Sequence, residues 1–345
     1  MQHVMGLQHL SSMINDIGLA KRVNIYKSSD NDIPEDIYST MITFIKAKIS
    51  KSIENSNNYF NLSKINIDRK FIKRGIMTIS YGVTKDGIKS QLISDFFNLT
   101  DVVENKKRLF TLDKKYINPD IEYTVYFNIE SIRELSGIIH SVLYEQHVNL
   151  EVFVKYLKNI NKFLHKLKLD IGVVWKTPSG LIIEQKYIKT EPYTYKTMIS
   201  HRTKSITLSK PTNLVDIKQQ NQSIVPNIVH SMDASNISIL INNLIKNNHN
   251  IDISTIHDSF SSQANNIELL SYEVKVAFLH IYKDQNFINE FHDFILEYIS
   301  KLGYSIDENN VCIGLGKKIS IPEKPYFKID YDIKECVLNS KYLIG

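Results

Sequence analysis

The first chemical signal in this sequence is the stretch RKFIKRGIMTISYG, where Arg69, Lys73, Met77 and Tyr81 follow one another at four-residue steps. Such steps drift only about 40° around a helix, so these side chains share one face and Arg74 lies off it. Two cations on the first turn of a helix are disfavoured by its macrodipole. They make sense there against a polyphosphate, which the free N–H groups of that turn also attract. Tyr81, further along the same face, is then placed where a sugar or base could stack. The same spacing also fits an amphipathic helix with solvated cations.

Two other stretches carry chemistry-bearing residues. In IDISTIHDSFSSQ, His257 and Asp258 fall where two short strands meet. A carboxylate at such a tip suits a hard Mg²⁺ ion, which takes few protein carboxylates and keeps phosphate oxygens as ligands. A plain turn is the other reading. In VPNIVHSMDASN, His230 and Asp233 fall on adjacent turns of a helix expected to open at Pro226 and Asn227. A lone helical histidine is more often a structural hydrogen-bonding group than a catalyst.

The elements that must hold these residues follow from periodicity. Apolar residues at helical spacing predict helices over 7–20, 36–53, 130–168, 227–246 and 267–302. Asp68 is suited to N-cap the helix beginning at Arg69. IGVVWKTPSGLIIEQKYIK alternates around a Pro-Ser-Gly turn, a β-hairpin signal. YTYKTMISHRTKSITLSK alternates again and sets Lys196, His201, Arg202, Lys204 and Lys210 on a basic ribbon near 193–210.

Bulk properties narrow the classes. The 345 residues suffice for a sizeable core, and 43% hydrophobic with 23% charged residues is ordinary for a globular protein. A net charge of +5 favours polyanionic partners. Two cysteines, Cys312 and Cys336, do not make a disulfide framework and point to a reducing compartment. No apolar run reaches transmembrane length, so no membrane partner is expected. Heavy use of Asn, Ile, Lys and Tyr suggests an AT-rich genome such as that of an organelle or its plasmid.

Taken together, these stretches resemble the single-subunit, bacteriophage-type DNA-directed RNA polymerases, a family with phage, mitochondrial and mitochondrial-plasmid members. The opening stretch resembles its Arg-x3-Lys-x3-Met-x3-Tyr-Gly motif. VPNIVHSMDAS, IHDSF, VVWKTPSGLIIEQKY, GLQHLSSMIND and VLNSKYLIG resemble five further family elements in the same order. The resemblance implies an α+β, mainly helical right-hand fold with fingers and a partial palm carrying a small antiparallel sheet. Residues 1–30 would be palm, 31–229 fingers including the ribbon, and 230–345 palm.

The resemblance also implies template-dependent RNA synthesis from ribonucleoside triphosphates by two-metal phosphoryl transfer, with a DNA template and an RNA product as partners. Arg69 and Lys73 would grip the triphosphate. Tyr81 would sit by the sugar with His230 assisting at the 2′-hydroxyl, Asp258 would hold Mg²⁺, and His257 would support it. Lys196, Arg202 and Lys204 would contact nucleic acid, since a β-ribbon can enter a major groove. A mitochondrial location follows from the plasmid-type resemblance and the composition. A-type DNA polymerases share Arg-x3-Lys and Tyr-Gly, but Met77, Ser259 and the His230 element favour the RNA enzymes.

One departure matters. The family's first catalytic aspartate would fall at Met1, followed by Gln2, His3, Val4 and Met5 in place of the usual pattern. The expectation is therefore a C-terminal portion, inactive alone, truncated or completed by an upstream polymerase fragment. A residual nucleic-acid-binding module without catalysis is the alternative.

Overall fold

The computed structural model describes residues 5–27, 33–52, 57–79, 81–167, 172–199, 202–249, 251–256, 259–308, 310–314 and 316–343. Helices dominate, and the strands form small, separate antiparallel sheets, so the class is α+β and mainly helical. One core cluster runs from Leu7 to Leu343 and draws on nearly every helix.

The chain opens with α1 (Met5–Met13), every residue of which is buried, and α2 (Ile17–Arg22). The single helix expected over 7–20 is thus two. Asp16 ends the continuity: its carboxylate accepts from the Leu19 N–H and N-caps α2, leaving Gly18 inside the second helix rather than at an end. Helix α3 (Ile37–Ser52) matches its periodicity, with Ile37, Met41, Ile45 and Ile49 buried. After α4 (Asn57–Leu62) comes α5 (Arg69–Ile79), whose Phe71 N–H donates to the Asp68 carboxylate at 2.8 Å, the expected cap. Helix α6 (Lys85–Phe96) leads into the hairpin β1 (Phe97–Glu104) and β2 (Lys107–Leu112).

The long apolar pattern over 130–168 also divides, into α7 (Ile129–Gln146) and α8 (Val148–Lys166). The break is His147, a buried side chain gripped by two neighbours. Its Nδ1 lies 3.3 Å from the Asp16 carboxylate and its Nε2 lies 3.1 Å from the Arg22 guanidinium. Periodicity runs across this joint because both helices face one core; only the tertiary contact marks it.

Next come two hairpins. Strands β3 (Val173–Lys176) and β4 (Ile182–Gln185) turn through Thr177-Pro-Ser-Gly180, with Gly180 at φ 94°. Strands β5 (Ile188–Ile199) and β6 (Arg202–Val215) make the long ribbon. Helix α9 (Ile217–Lys246) then runs for 30 residues and carries Pro226 inside it. The expected start at Pro226 is corrected to Ile217, N-capped by Asp216. A proline lacks one donor and usually marks a first turn. Here tertiary contacts hold the helix through it: Trp175 Nε1 donates to Ser231 Oγ at 3.0 Å, and Gln185 and Gln220 exchange side-chain to backbone bonds.

Strands β7 (Ile253–Ile256) and β8 (Ser259–Ser262) pair antiparallel, with Ile256 opposite Ser259. The pattern over 267–302 splits into α10 (Ile267–Tyr282) and α11 (Phe287–Lys301). A three-stranded sheet, β9 (Ser305–Ile306), β10 (Val311–Gly314) and β11 (Lys317–Ser320), and the short α12 (Ile333–Asn339) finish the described chain. Both cysteines are buried and free. Among the described residues no helix is long and apolar enough to cross a membrane.

The Asp16–His147 joint has a pH signature. Burial pushes the Asp16 carboxyl up, but hydrogen bonds from His147 and Leu19 outweigh it and hold the group below its ordinary 3.8. A depressed carboxylate contributes stability that is present above 3.8 and is lost as pH falls through the lower folded value. Asp16→Asn is therefore expected to lower the urea midpoint at pH 7 and to flatten its fall below pH ~4. An unchanged acid limb would show that this joint does not bear on stability.

Candidate nucleotide site

The face of α5 that carries Arg69 and Lys73 forms against α3. Arg69 Nε donates to Asp36 Oδ2 at 3.0 Å, and its guanidinium lies 4.8 Å over the buried Tyr38 ring. Asp36 and Tyr38 were missed in the sequence; the only signal was an acidic residue just before a helix. Lys73, one turn on, has no hydrogen bond or ion pair among the described residues. Burial lowers its ammonium pKa, the Arg69 charge lowers it further, and Asp36 opposes both. Two cations held this close favour an arriving anion.

Tyr81 does not continue the helix, which ends at Ile79. It sits in the following turn, its N–H donating to the Thr78 carbonyl and that of Gly82 to Ile79. This corrects the expectation of one uninterrupted stripe. The break is marked by Gly82, at φ 72°, a left-handed conformation that glycine adopts without strain. A Cβ there would lie 2.9 Å from the Gln222 carbonyl oxygen and 3.7 Å from Pro226 Cδ. Gly82 therefore seats the turn directly on α9, where Pro226 cannot donate to that carbonyl.

The seating brings two expected partners together. The Tyr81 and His230 rings meet with centroids 5.1 Å apart at 70°, an edge contact. Both line a cavity of about 200 Å³ with Met5, Gly6, His9, Val229 and Asp233. Residues from α1, the turn after α5 and α9 thus converge. Gly6, His9 and Asp233 were not assigned to the site; the GLQH stretch of α1 was legible as a motif, and nothing in its spacing gave the direction of its side chains. Above the same stretch of α9, Asn227 donates to Gln185 Oε1 and to the Tyr187 hydroxyl, whose pKa is lowered by hydrogen bonds from Asn227 and Ser223.

The remaining expected residues fare differently. His257 and Asp258 lie outside the described residues; β7 and β8 bracket them. Among the described residues no group of three or more His, Cys, Asp or Glu side chains could hold a metal ion, and the expected ligand Asp258 is not one of them. On the ribbon, Lys196 pairs with Ser205 and Lys204 with Thr197. Directly opposed residues share a face and neighbours alternate, so Lys196 and Lys204 project from opposite faces. One face carries Tyr193, Tyr195, Ile206, Leu208 and Lys204; the other carries Thr194, Thr207 and Lys196. Arg202 pairs through its backbone with Ile199.

Comparisons with known proteins give the family. Residues 4–320 match the family model described as DNA-dependent RNA polymerase. The chain belongs to that family. It is 38% identical to a probable DNA-directed RNA polymerase of Neurospora crassa, over 99% of this chain and 39% of that protein. It is 31% identical to a probable DNA-directed RNA polymerase of Agaricus bitorquis, over 99% of this chain and 33% of that protein. The mitochondrial DNA-directed RNA polymerase of Schizosaccharomyces pombe is 25% identical over 99% of this chain and 28% of its own length. The chain therefore spans well under half the length of these relatives.

Gly82→Ala is expected to separate Tyr81 from His230. The left-handed turn alone costs a residue with a Cβ about 1–2 kcal/mol. Gly180→Ala supplies the control, because Gly180 has φ 94° and a Cβ there would meet nothing within 4 Å. The expected result is a larger loss of urea stability at 82 than at 180, with the Tyr81–His230 ring NOEs lost only in the former. Equal losses and intact NOEs would show that the close contact does not hold the two rings together.

Proposed function

We propose that this chain is the nucleotide-holding part of a DNA-directed RNA polymerase that joins ribonucleoside triphosphates on a DNA template to give RNA. The observation that supports this is the meeting of Tyr81 and His230 over one cavity, on the same α5-to-turn segment that carries Arg69 and Lys73. Lys73 and Arg69 hold the triphosphate, with Arg69 kept in place by Asp36. Tyr81 and His230 face the sugar and select ribose through its 2′-hydroxyl. Residues 1–30 and 230–345 act as palm and 31–229 as fingers; helix α9 crosses the last boundary, so both parts share it.

Asp258, with His257 beside it in sequence, would hold Mg²⁺, which would supply the activation of a hydroxyl nucleophile and the stabilisation of the leaving pyrophosphate. One carboxylate cannot hold two such ions, and the described residues add no cluster that could. Synthesis by this chain alone is therefore not expected. Several relatives are named as mitochondrial enzymes, and a mitochondrial location is proposed for this chain too.

The test is a pair of measurements on the full chain. ATP binding is expected to be weakened at least tenfold by Lys73→Ala, read by equilibrium dialysis, since charge-assisted bonds contribute about 1.5–3 kcal/mol. Primer extension on an RNA–DNA hybrid with Mg²⁺ is expected to be absent. Extension that disappears in Asp258→Ala would overturn the claim of inactivity. Nucleotide binding indifferent to Lys73 would overturn the triphosphate assignment.

The ribbon gives a second expectation. Lys196→Ala and Lys204→Ala are each expected to reduce the slope of log affinity against log salt for duplex DNA by about 1. A slope unchanged by either would take the ribbon out of DNA contact and leave its aromatic face without that role.

A further inference from the structure

His9 stands apart from the groups assigned above. Its imidazole is completely buried on α1, packed against the rings of Phe278 and Tyr282 at centroid distances of 5.4 and 5.7 Å. Its Nδ1 lies 2.7 Å from the Tyr282 hydroxyl. Its Nε2 has no hydrogen-bond partner among the described residues, although His9 lines the cavity shared with Gly6, Tyr81 and His230.

The hydrogen-bond network assigns the tautomer. Tyr282 is fully buried, and His9 is the sole hydrogen-bond partner of its hydroxyl among the described residues. The phenol proton needs an acceptor, and Nδ1 is the one within reach. Burial and the nearby Asp233 charge raise the Tyr282 pKa well above 10, so it stays a donor. Nδ1 then accepts, and the ring proton sits on Nε2. Burial lowers His9 to about 3, so the ring is neutral across the physiological range. The result is a fixed, uncharged N–H donor beside the cavity. A buried donor left without an acceptor costs about 1–3 kcal/mol, which a bound oxygen would return.

We propose that His9, locked by Tyr282, is a specificity-determining residue whose Nε2–H donates to a hydroxyl oxygen of the sugar of a nucleotide bound in this cavity. The inference rests on the nucleotide reading given above, and deepens it: the sugar is read by three elements, α1 as well as the α5 turn and α9. A neutral donor suits a hydroxyl, which offers no charge for an imidazolium to pair with. Phe278 and Tyr282 pack against the ring, so the donor keeps its direction when the cavity is empty.

The test is nitrogen-15 NMR of the histidines in the full chain, titrated with ATP, 2′-deoxy-ATP and 3′-deoxy-ATP. The free protein is expected to show His9 as the Nε2–H tautomer with no protonation down to pH ~4, and Tyr282→Phe is expected to lose that tautomer preference. ATP is expected to shift the His9 Nε2 resonance. One of the two deoxynucleotides is expected to bind about fivefold more weakly and leave Nε2 unmoved, and which one it is names the hydroxyl. In Tyr282→Phe, the preference for ATP over that deoxynucleotide is expected to fall while Lys73 dependence persists. An Nδ1–H tautomer in the free chain overturns the proposal. So does ATP binding that depends on Lys73 but leaves Nε2 unmoved, and in that case the nucleotide reading stands. If no nucleotide binds, both fall together.

Discussion

Gly82 against the Gln222 carbonyl is the contact on which the candidate site depends. Pro226 leaves that carbonyl without its usual helical donor, and Gly82 has neither a Cβ nor a preference against a positive φ. The two irregularities fit each other. Because the turn can approach this closely, the Tyr81 ring meets that of His230. The β3–β4 hairpin also holds α9, through Trp175 and Gln185. Helix α9 is thus clamped at the same turns that carry the site, and a proline within it becomes tolerable.

The cationic end of α5 is arranged differently. Asp36 and the Tyr38 ring fix Arg69, so its direction is set before any ligand arrives. Lys73 receives no such partner among the described residues and feels burial and the Arg69 charge instead. A phosphate group would relieve both effects at once by supplying the opposite charge. Had Asp36 paired with Lys73 as well, the site would be neutralised in advance and would attract an anion less.

Much of this was legible because local rules and tertiary structure agree in places. The Asp68 cap, the Pro-Ser-Gly hairpin and the two strands around 257–258 each carry their own turn or cap chemistry, and each appears where expected. The failures share a cause. At Asp16, His147 and residues 283–286 the apolar period continues across a break, because the flanking helices bury against one core. At Pro226 the local rule points to a helix start, and packing overrides it. Asp216, an N-cap residue ten positions earlier, was the available signal. His9 was hidden for another reason: every residue of α1 is buried, so no amphipathic pattern distinguishes the side facing the cavity from the side facing the core.

The two halves of the candidate site rest on unequal supports. The nucleotide half is built on α1, α5 and α9, all joined to the main core. Strands β7 and β8, on either side of positions 257 and 258, form a two-stranded sheet that pairs with no third strand among the described residues. Its inner contacts are Ile253 and Phe260 on a small cluster with α9 and α10, while Ile256 is 69% exposed. A lone hairpin is marginal in water, and its open edges accept another strand readily. The physical asymmetry runs parallel to the chemical one. The groups proposed to hold a nucleotide stand on α1, α5, the turn after it and α9. Positioning metal ions needs several carboxylates held rigidly, and the proposed Mg²⁺ ligand Asp258 lies between two strands that rest on the smaller cluster alone.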